Sequence, residues 1–384
     1  MRRFSLALLL LVVPGTLWGQ SSIFGIRGLG LPGRGLSARA WAMGGAPGLI
    51  DGQSQLNPAA VAMLPTMTAG FEVTPQWRNS TTPAGSASLR STEFPLFQVA
   101  GPIGGTHASL GLSYSNYTSR DFLITLAGTE MLRGTPVGYV DTLSSDGGIN
   151  DLRLAAAYAL SPKLLVGGGF HLLTGVNRMA QNRAYEDTSY RNIRQTTELS
   201  YAGWGVSAGL VYQATSRFTL AASLRSDGKV TVDQDSTGIY SVDLPYRMGL
   251  AAQYQFSPRL LGAAQFDYRT WSGANSDLLV QGQLGAKNVT DISGGIEWVT
   301  DPRRPGRRPL RAGIHYRQLP FLVGPDQPTE FSLSLGTGMS FAANRGNVDL
   351  GLERVWRSAG ADYDETGWQL VIGLTVRPNV RSGP

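Results

Sequence analysis

The amino-acid sequence predicts an all-β fold, a transmembrane antiparallel β-barrel of about 14 strands with an N-terminal plug, or hatch, inside the lumen. Three observations predict it: an export-type N-terminus, long stretches in which apolar and small polar residues alternate, and short turns that alternate with longer polar connections. A helical membrane protein is excluded, because no run of about 18 apolar residues follows the N-terminal segment.

The first segment, MRRFSLALLLLVVPGTLWGQ, has two arginines, a short apolar core and a small residue, Gly19. This order is typical of a secretory signal peptide, and the apolar core is too short to span a membrane. We expect residues 1–19 to be a signal peptide that exports the chain, and we expect the mature protein to lie in the outer membrane of a Gram-negative (diderm) bacterium.

The composition of the chain excludes several classes of function. Of the 384 residues, 33 are basic and 27 acidic, and there is no cysteine. The charges are scattered instead of forming a basic stripe with aromatic residues, so nucleic acid is not an expected partner. The lack of cysteine excludes disulfides, thiolate metal sites and cysteine nucleophiles.

The strand pattern is clear in FSLSLGTGMSF, Phe331 to Phe341, where large apolar residues fall on one face and Ser or Gly on the other. DISGGIEWV and YRMGLAAQYQF repeat it. A soluble sandwich would also bury such an apolar face, but its solvent face would carry more Lys and Glu. Strands of roughly ten to thirteen residues also exceed the five or six usual in soluble sheets, which favours the membrane barrel.

The turns set the order of the strands. Short turns such as Ser257-Pro258-Arg259 alternate with the longer polar connections 118–147 and 179–197, which is typical of short periplasmic turns and long outer loops. FLITLAG within 118–147 leaves an additional hairpin open, and the basic turn DPRRPGRRP is expected to be solvated. The predicted strands are 66–77, 88–100, 106–117, 148–160, 164–177, 198–213, 218–232, 242–256, 260–271, 286–300, 309–320, 330–341, 346–357 and 366–377.

The segment before the first strand, SARAWAMGGAPGLIDGQSQLNPAAVAML, is rich in Gly, Ala and Pro. Its small residues allow the backbone to pack closely, and Gly44 and Gly45 supply the bends that a crowded lumen requires. Asn57 and Pro58 are expected to cap and begin a short helix. The predicted division is therefore a plug over 20–65, a barrel over 66–377 and a C-terminal tail over 378–384, with the plug acting as the gate.

Several motifs together resemble the FadL family of outer-membrane transport proteins for long-chain fatty acids and aromatic hydrocarbons, of which this chain looks like a divergent branch. They are SARAWAMGGA, LNPAAVAML, LPYRMGLAAQYQFSPRLLGAAQFDYRTWS, LRAGIHYRQLPF, EFSLSLGTGMSF and GNVDLGLERVW. The resemblance implies that the segment before the first strand folds into the lumen and that the Asn-Pro-Ala motif, Asn57, Pro58 and Ala59, lies within this plug. It also implies transport of a hydrophobic solute.

Motifs of catalysis and metal binding are weak. GLGLPG lacks the strand that precedes a dinucleotide-binding turn, and GVSAG lies inside a strand, so Ser207 is expected to be a small lumen-facing residue. No spacing links His171 or His315 to a serine, and DYDE, residues 362–365, is expected to be solvated. We therefore predict no enzyme, no catalytic residue, no metal and no cofactor.

The charges inside the lumen leave two alternatives open. Surplus arginines either bind the carboxylate head group of a ligand or pair with acidic residues in a lattice that holds the plug. The arginines expected to point inward are Arg153, Arg225, Arg247, Arg269, Arg311 and Arg317.

The leading functional hypothesis is a channel for the passive uptake of hydrophobic small molecules, long-chain fatty acids or aromatic hydrocarbons. The alternative is a non-transporting barrel that acts as a binding, assembly or secretion-shuttle protein in the outer membrane. Apolar residues of the connection 118–147 suit a ligand and a protein contact equally: Phe122, Leu123, Ile124, Leu126 and Met131. Expected partners are outer-membrane lipids, the hydrophobic ligand and, during insertion, the barrel-assembly machinery.

Overall fold

The computed structural model describes residues 22–83, 85–235, 237–303, 307–342 and 345–378. The predicted signal peptide, residues 304–306 of the basic turn and residues 379–384 of the predicted tail lie outside this part of the chain. The strands are β1 (Leu31–Pro32), β2 (Thr68–Thr82), β3 (Gly85–Glu93), β4 (Leu96–Pro102), β5 (Ala108–Ser119), β6 (Phe122–Leu132), β7 (Thr135–Ser161), β8 (Leu164–Tyr185), β9 (Ile193–Gln213), β10 (Phe218–Ser226), β11 (Lys229–Gln234), β12 (Thr237–Asp243), β13 (Tyr246–Ser257), β14 (Leu260–Arg269), β15 (Val289–Trp298), β16 (Arg307–Gln318), β17 (Thr329–Phe341), β18 (Gly346–Ala359) and β19 (Tyr363–Val376).

The wall is a closed antiparallel barrel of 14 strands, because β3 with β4, β5 with β6, β10 with β11 and β12 with β13 each form one interrupted wall strand. The last strand, β19, pairs with the first, β2, and closes the barrel. The predicted strand number is confirmed. Closure leaves no free edge along most of the wall, which is what a β-structure needs in lipid, where water cannot satisfy the backbone.

The alternating pattern gives the wall two different faces. On β17, Leu333 and Leu335 point outward and are 46% and 63% exposed, whereas Ser332 and Ser334 point inward and are 1% and 3% exposed. On β13, Tyr246 and Phe256 lie at opposite ends of the outward face. The ten residue steps between them span about 25 Å at a usual barrel tilt, which matches the apolar height of a membrane barrel.

The turns divide the barrel into two ends. We call the end with the connections 103–107, 162–163, 214–217, 258–259, 299–306 and 342–345 the short-turn end, and the end with the connections 186–192, 270–288 and 319–328 the long-loop end. Connection 270–288 contains a 3₁₀ helix, Trp271–Ala274, and α2, Asn275–Val280.

Two connections predicted as polar loops are largely strand instead. FLITLAG lies in β6, which forms a hairpin with the first half of β7, and most of 179–197 belongs to β8 and β9. These strands continue the wall beyond the long-loop end as a four-stranded sheet, β6 to β9. Polar residues do not prevent strands here, because pairing between neighbouring strands satisfies most of their backbone groups.

Residues 22–64 lie inside the barrel as a plug. It contains the 3₁₀ helix Ile23–Ile26, β1, α1 (Ala38–Ala42) and a second 3₁₀ helix, Pro58–Met63. β1 pairs with β5, α1 packs against β16 to β19, and Pro58–Met63 packs against the opposite wall, β4 to β9. The plug thus contacts most of the inner wall. Among the described residues, no helix has the length and apolarity needed to span a membrane.

Local sequence explains two bends of the plug. Gly44 and Gly45 have φ angles of 70° and 100°, a region that favours glycine. A Cβ atom on Gly44 would lie 2.6 Å from the carbonyl oxygen of Ile314, so only glycine fits there. The short helix predicted after Asn57 is present as Pro58–Met63, and the Asn57 side chain accepts a hydrogen bond from the Ala59 N–H.

Candidate functional site

A lattice of buried ion pairs fills the lumen on the side of α1. Arg311 pairs with Glu297 and Asp349, and Glu330 lies between Arg317 and Arg357. All of these side chains are at least nine-tenths buried by residue. Such pairs are costly to break singly, because the remaining charge is left without a partner in a dry environment.

The plug is part of this lattice. Arg34 pairs with Glu353 at 3.0 Å, and the Arg39 guanidinium donates two hydrogen bonds to Glu297 at 2.8 and 3.0 Å. The N–H of Ala38 donates to Glu72 at 2.6 Å. The charges therefore fix the position of the plug as well as the wall.

The six arginines predicted to face the lumen all do so, and they differ in what they bind. Arg153, fully buried, donates to the backbone oxygen of Gln55 in the plug at 2.8 Å. Arg225 pairs with Asp151 and Asp227, and Arg247 pairs with Asp267. Arg311 and Arg317 belong to the lattice described above.

Arg269 is the exception. Within the part of the chain that the structure describes, it makes no ion pair, and its Nε–H has no hydrogen-bond acceptor. It lines a small cavity of about 50 Å³ together with Arg225, Arg247, Asp227 and Trp271. That volume suits one or two water molecules or a small polar head group. We call it the arginine cavity.

A larger and more apolar cavity, of about 470 Å³, lies at the long-loop end. We call it the mouth cavity. Its inner wall is the first helix of the plug, with Ile23, Phe24 and Ile26, and its outer walls are the β2–β3 hairpin and β6. The other apolar side chains that line it are Leu89, Leu123, Ile124, Leu126, Val323 and Tyr363.

The mouth cavity lies at a gap in the wall. Within the described residues, β3 pairs only with β2, because the wall strand is interrupted at Phe94 and Pro95 before β4 begins. Beyond the end of the β4–β5 pairing, Thr118 and Ser119 of β5 pair with β1 of the plug instead of with β3. The edges of β3 and β6 that face each other are therefore unpaired, and the cavity lies between them.

A hydrogen-bonded Ser–His–Asp arrangement lies elsewhere in the lumen. No sequence spacing linked a serine to His171, but in the structure His171 Nε2 lies 2.9 Å from Ser207 Oγ, and His171 Nδ1 lies 2.9 Å from Asp151 Oδ1. The β8–β9 register produces this contact by placing Gly169 beside Ser207. Two residues that lie diagonally across neighbouring strands have no characteristic spacing in the sequence. The alternating pattern did indicate that both side chains point into the lumen.

The surroundings of these three residues do not suit hydrolysis. Asp151 also binds Arg225, and neither Ser207 nor His171 lines any of the five cavities described for the lumen. Acyl transfer needs space for a carbonyl beside the serine and free N–H donors for its oxygen. Ser207 lies within a continuous strand ladder. In the described part of the chain, no group of three or more His, Asp or Glu side chains is arranged to hold a metal ion.

Solved structures with similar folds are membrane transport proteins. They include a FadL homologue of Pseudomonas aeruginosa, with 15% identity and a TM-score of 0.63 over 90% of this chain and 99% of that chain. They also include the toluene transporters TodX of Pseudomonas putida, with 14% identity and a TM-score of 0.56 over 91% and 99%, and TbuX of Ralstonia pickettii, with 14% identity and a TM-score of 0.57 over 90% and 98%. The fold is therefore of the FadL type.

Comparison of the sequence with known proteins and with models of protein families shows the family of the chain. No curated protein matches the sequence. The model of the BamG family matches residues 1–243, which is more than half of the 384 residues. The chain therefore belongs to the BamG family.

Proposed function

We propose that the protein is an outer-membrane channel for the passive uptake of hydrophobic small molecules. The mouth cavity carries this proposal, because an apolar space of about 470 Å³ at a gap in the wall has a size usual for small-molecule sites. A hydrophobic solute gains about 0.8 kcal/mol per buried methylene, so such a cavity extracts it from a dilute aqueous phase.

The gap between β3 and β6 offers a route out of the cavity. A solute that moves sideways between the unpaired edges leaves the cavity without crossing the charged lattice. A solute that moves inward must displace residues 23–33 of the plug. Gly44, Gly45, Asn57, Pro58 and Ala59 belong to the tightly packed remainder of the plug, and we propose that they close the lumen below the cavity.

We assign the arginines two roles within this proposal. Arg225, Arg247 and Arg269 surround the arginine cavity, where Arg269 has no described carboxylate partner and is free to bind the carboxylate of a fatty acid. Arg153, Arg311 and Arg317 hold the plug and the wall, as the lattice alternative requires. The structures with similar folds support an apolar ligand, since TodX and TbuX are toluene transporters.

The location of the protein is part of the proposal. We infer export by the N-terminal signal peptide and insertion into the outer membrane of a diderm bacterium, with the long-loop end outward and outer-membrane lipids around the apolar band. Fractionation of the cells tests this: the full chain is expected in the outer membrane, and a chain without residues 1–19 in the cytoplasm.

The test of uptake uses the apolar wall of the mouth cavity. Leu123→Glu places a charge in the cavity, and we expect it to weaken binding of palmitate or toluene by at least tenfold. Met131→Glu is the matched control, because Met131 lies on the same face of β6, is 65% exposed and does not line the cavity. Titration of purified protein and uptake of labelled palmitate and toluene by cells measure the effect. Unchanged binding and uptake in Leu123→Glu would contradict the proposal.

The family match favours a second candidate. The name BamG points to the barrel-assembly machinery, and a non-transporting barrel that binds this machinery, or helps to assemble or shuttle other proteins, is the alternative function. The machinery is also the expected partner during insertion of the barrel itself. Stable co-purification of assembly components, together with unchanged palmitate and toluene uptake when the gene is deleted, would favour this candidate over the channel.

A further inference from the structure

The short-turn end carries a ring of basic side chains. Four short turns place one lysine or arginine directly before the next strand, β8, β10, β14 or β18. Arg303 in the connection before β16 and Arg308 at the start of β16 add two more. All six are exposed: Lys163, Arg217, Arg259, Arg303, Arg308 and Arg345. We call them the basic ring.

Among the residues that the structure describes, no acidic side chain pairs with the basic ring. Asp301 is the only acid among the described residues of these connections, and its side chain accepts from the backbone N–H of Arg303. Within the described residues, no member of the ring makes an ion pair. The long-loop end differs, since acidic side chains such as Asp187, Asp235 and Asp326 lie among its arginines. In the described ranges, unbalanced positive charge therefore lies at the short-turn end and not at the long-loop end.

Aromatic side chains lie directly above the ring on the outward face of the wall. Each arginine of three short turns has aromatic residues at nearby strand ends: Arg217 has Tyr212 and Tyr254, Arg259 has Phe256 and Trp298, and Arg345 has Phe341. The side chains of these aromatic residues point outward and are 41% to 58% exposed. An aromatic belt followed by basic residues is the arrangement found where a protein meets lipid head groups.

The distribution of the ring identifies its partner. Its members occupy connections spread around the wall, from β7–β8 to β17–β18. A bound protein would cover one arc of this circumference, whereas the head groups of a membrane surround all of it. Guanidinium groups bind phosphate through paired hydrogen bonds, and lysine binds it as a point charge.

We propose that the basic ring binds anionic phospholipids, of the phosphatidylglycerol class, in the leaflet at the short-turn end. The ring then fixes the depth of the barrel in the bilayer and selects the lipids of that leaflet. This inference requires only that the barrel lies in a bilayer and is independent of the proposed uptake. One basic residue near an anionic surface gives a preference of about fivefold for anionic over neutral lipids.

Reconstitution in nanodiscs with equal amounts of phosphatidylglycerol and phosphatidylcholine tests the inference. Native mass spectrometry of the released protein counts the lipids that remain bound. We expect phosphatidylglycerol to be retained about fivefold or more over phosphatidylcholine. K163Q/R217Q/R259Q/R345Q, which keeps Arg303 and Arg308, is expected to lose most of this preference. The matched control R133Q/R191Q/R194Q/K287Q removes four exposed basic residues from the long-loop end and is expected to behave like the unmodified protein.

Two results would overturn the inference: equal retention of both lipids by the unmodified protein, or the same loss of preference in the ring variant and the control variant. Heat-dependent gel migration shows whether each variant forms the barrel. Should the ring variant fail to fold, the salt dependence of the unmodified protein still decides, because screening between 0.05 and 0.5 M salt should reduce the preference severalfold. A preference that does not change with salt would contradict an electrostatic ring.

Discussion

The two parts of the plug are held in different ways. Residues 34–64 are fixed by charge and close packing: Arg34 binds Glu353, Arg39 binds Glu297, and Ala40 and Ala42 are fully buried. Residues 22–33 lie beside the mouth cavity, and they are held mainly by the short pairing of β1 with β5 and by hydrogen bonds such as those from the Gly28 N–H to Gln283 and from Ser22 Oγ to Glu365.

This difference indicates which part of the plug moves. Separating a buried ion pair costs much free energy, because each charge is left without a partner. Shifting an apolar segment beside a cavity costs less, because one set of weak van der Waals contacts replaces another. We therefore expect residues 34–64 to stay in place while residues 22–33 rearrange. The following predictions test this comparison, from the largest expected effect to the smallest.

Glu297→Gln is expected to have the largest effect on stability. It removes the carboxylate shared by Arg39 of the plug and Arg311 of the wall. We expect the free energy of unfolding to fall by about 3 kcal/mol, because two arginines lose a buried partner. Urea unfolding followed by gel migration measures it, with Glu198→Gln as the control, since the Arg178–Glu198 pair is exposed and worth less than about 1 kcal/mol. Equal effects of both changes would mean that the lattice does not hold the plug.

A disulfide tests whether the inner part of the plug is stationary. A Cβ atom on Gly351 would lie 3.6 Å from the Cβ of Ala42, a distance usual for a disulfide, and the chain has no other cysteine. We expect oxidised Ala42→Cys/Gly351→Cys to take up palmitate or toluene as well as its reduced form. Loss of uptake that returns on reduction would show that residues 37–64 are the moving gate.

We predict that the stability of the protein depends on pH through Asp121, which lies at the long-loop end. Burial raises the pKa of the Asp121 carboxyl to about 6, and nearby Glu93 and Asp146 act in the same direction. The pKa of Asp121 in the folded protein thus lies above its value in the unfolded chain. The protonated Asp121 carboxyl therefore contributes to stability fully below about pH 4, and this contribution is lost as the pH rises through 6. We expect the free energy of unfolding to fall by about 3 kcal/mol at most, since one pKa unit corresponds to about 1.4 kcal/mol. The loss should be absent in Asp121→Asn, which keeps an oxygen acceptor for the Gly147 N–H.

Ser207 is expected to show the smallest effect. Ser207→Ala removes one hydrogen bond to His171, so we expect a stability loss of about 1 kcal/mol and no change in uptake. A fluorophosphonate probe, which reacts with activated serines, should not label the unmodified protein. Labelling that disappears in Ser207→Ala would show an activated serine and contradict the absence of catalysis.

The fold was largely predictable, and the site was predictable only in part. Period-two patterns in strands such as β17 report directly on which side chains face lipid, so the strand number and the inward arginines followed from the sequence. FLITLAG was recognised as a candidate hairpin, but its unpaired edge toward β3 was not. That edge depends on where Pro95 interrupts its strand and on β1 occupying the β5 edge, which are relations between distant segments.

The sequence by itself determined the alternation of faces, the 14-stranded barrel and the presence of a Gly-rich segment for the lumen, because these depend on local periodicity and backbone freedom. Tertiary structure alone decided which arginine lacks a partner, that Ser207 meets His171, and that an apolar cavity opens at the wall gap. Each of these depends on the register between strands far apart in sequence, where a shift of one residue turns every side chain to the other face.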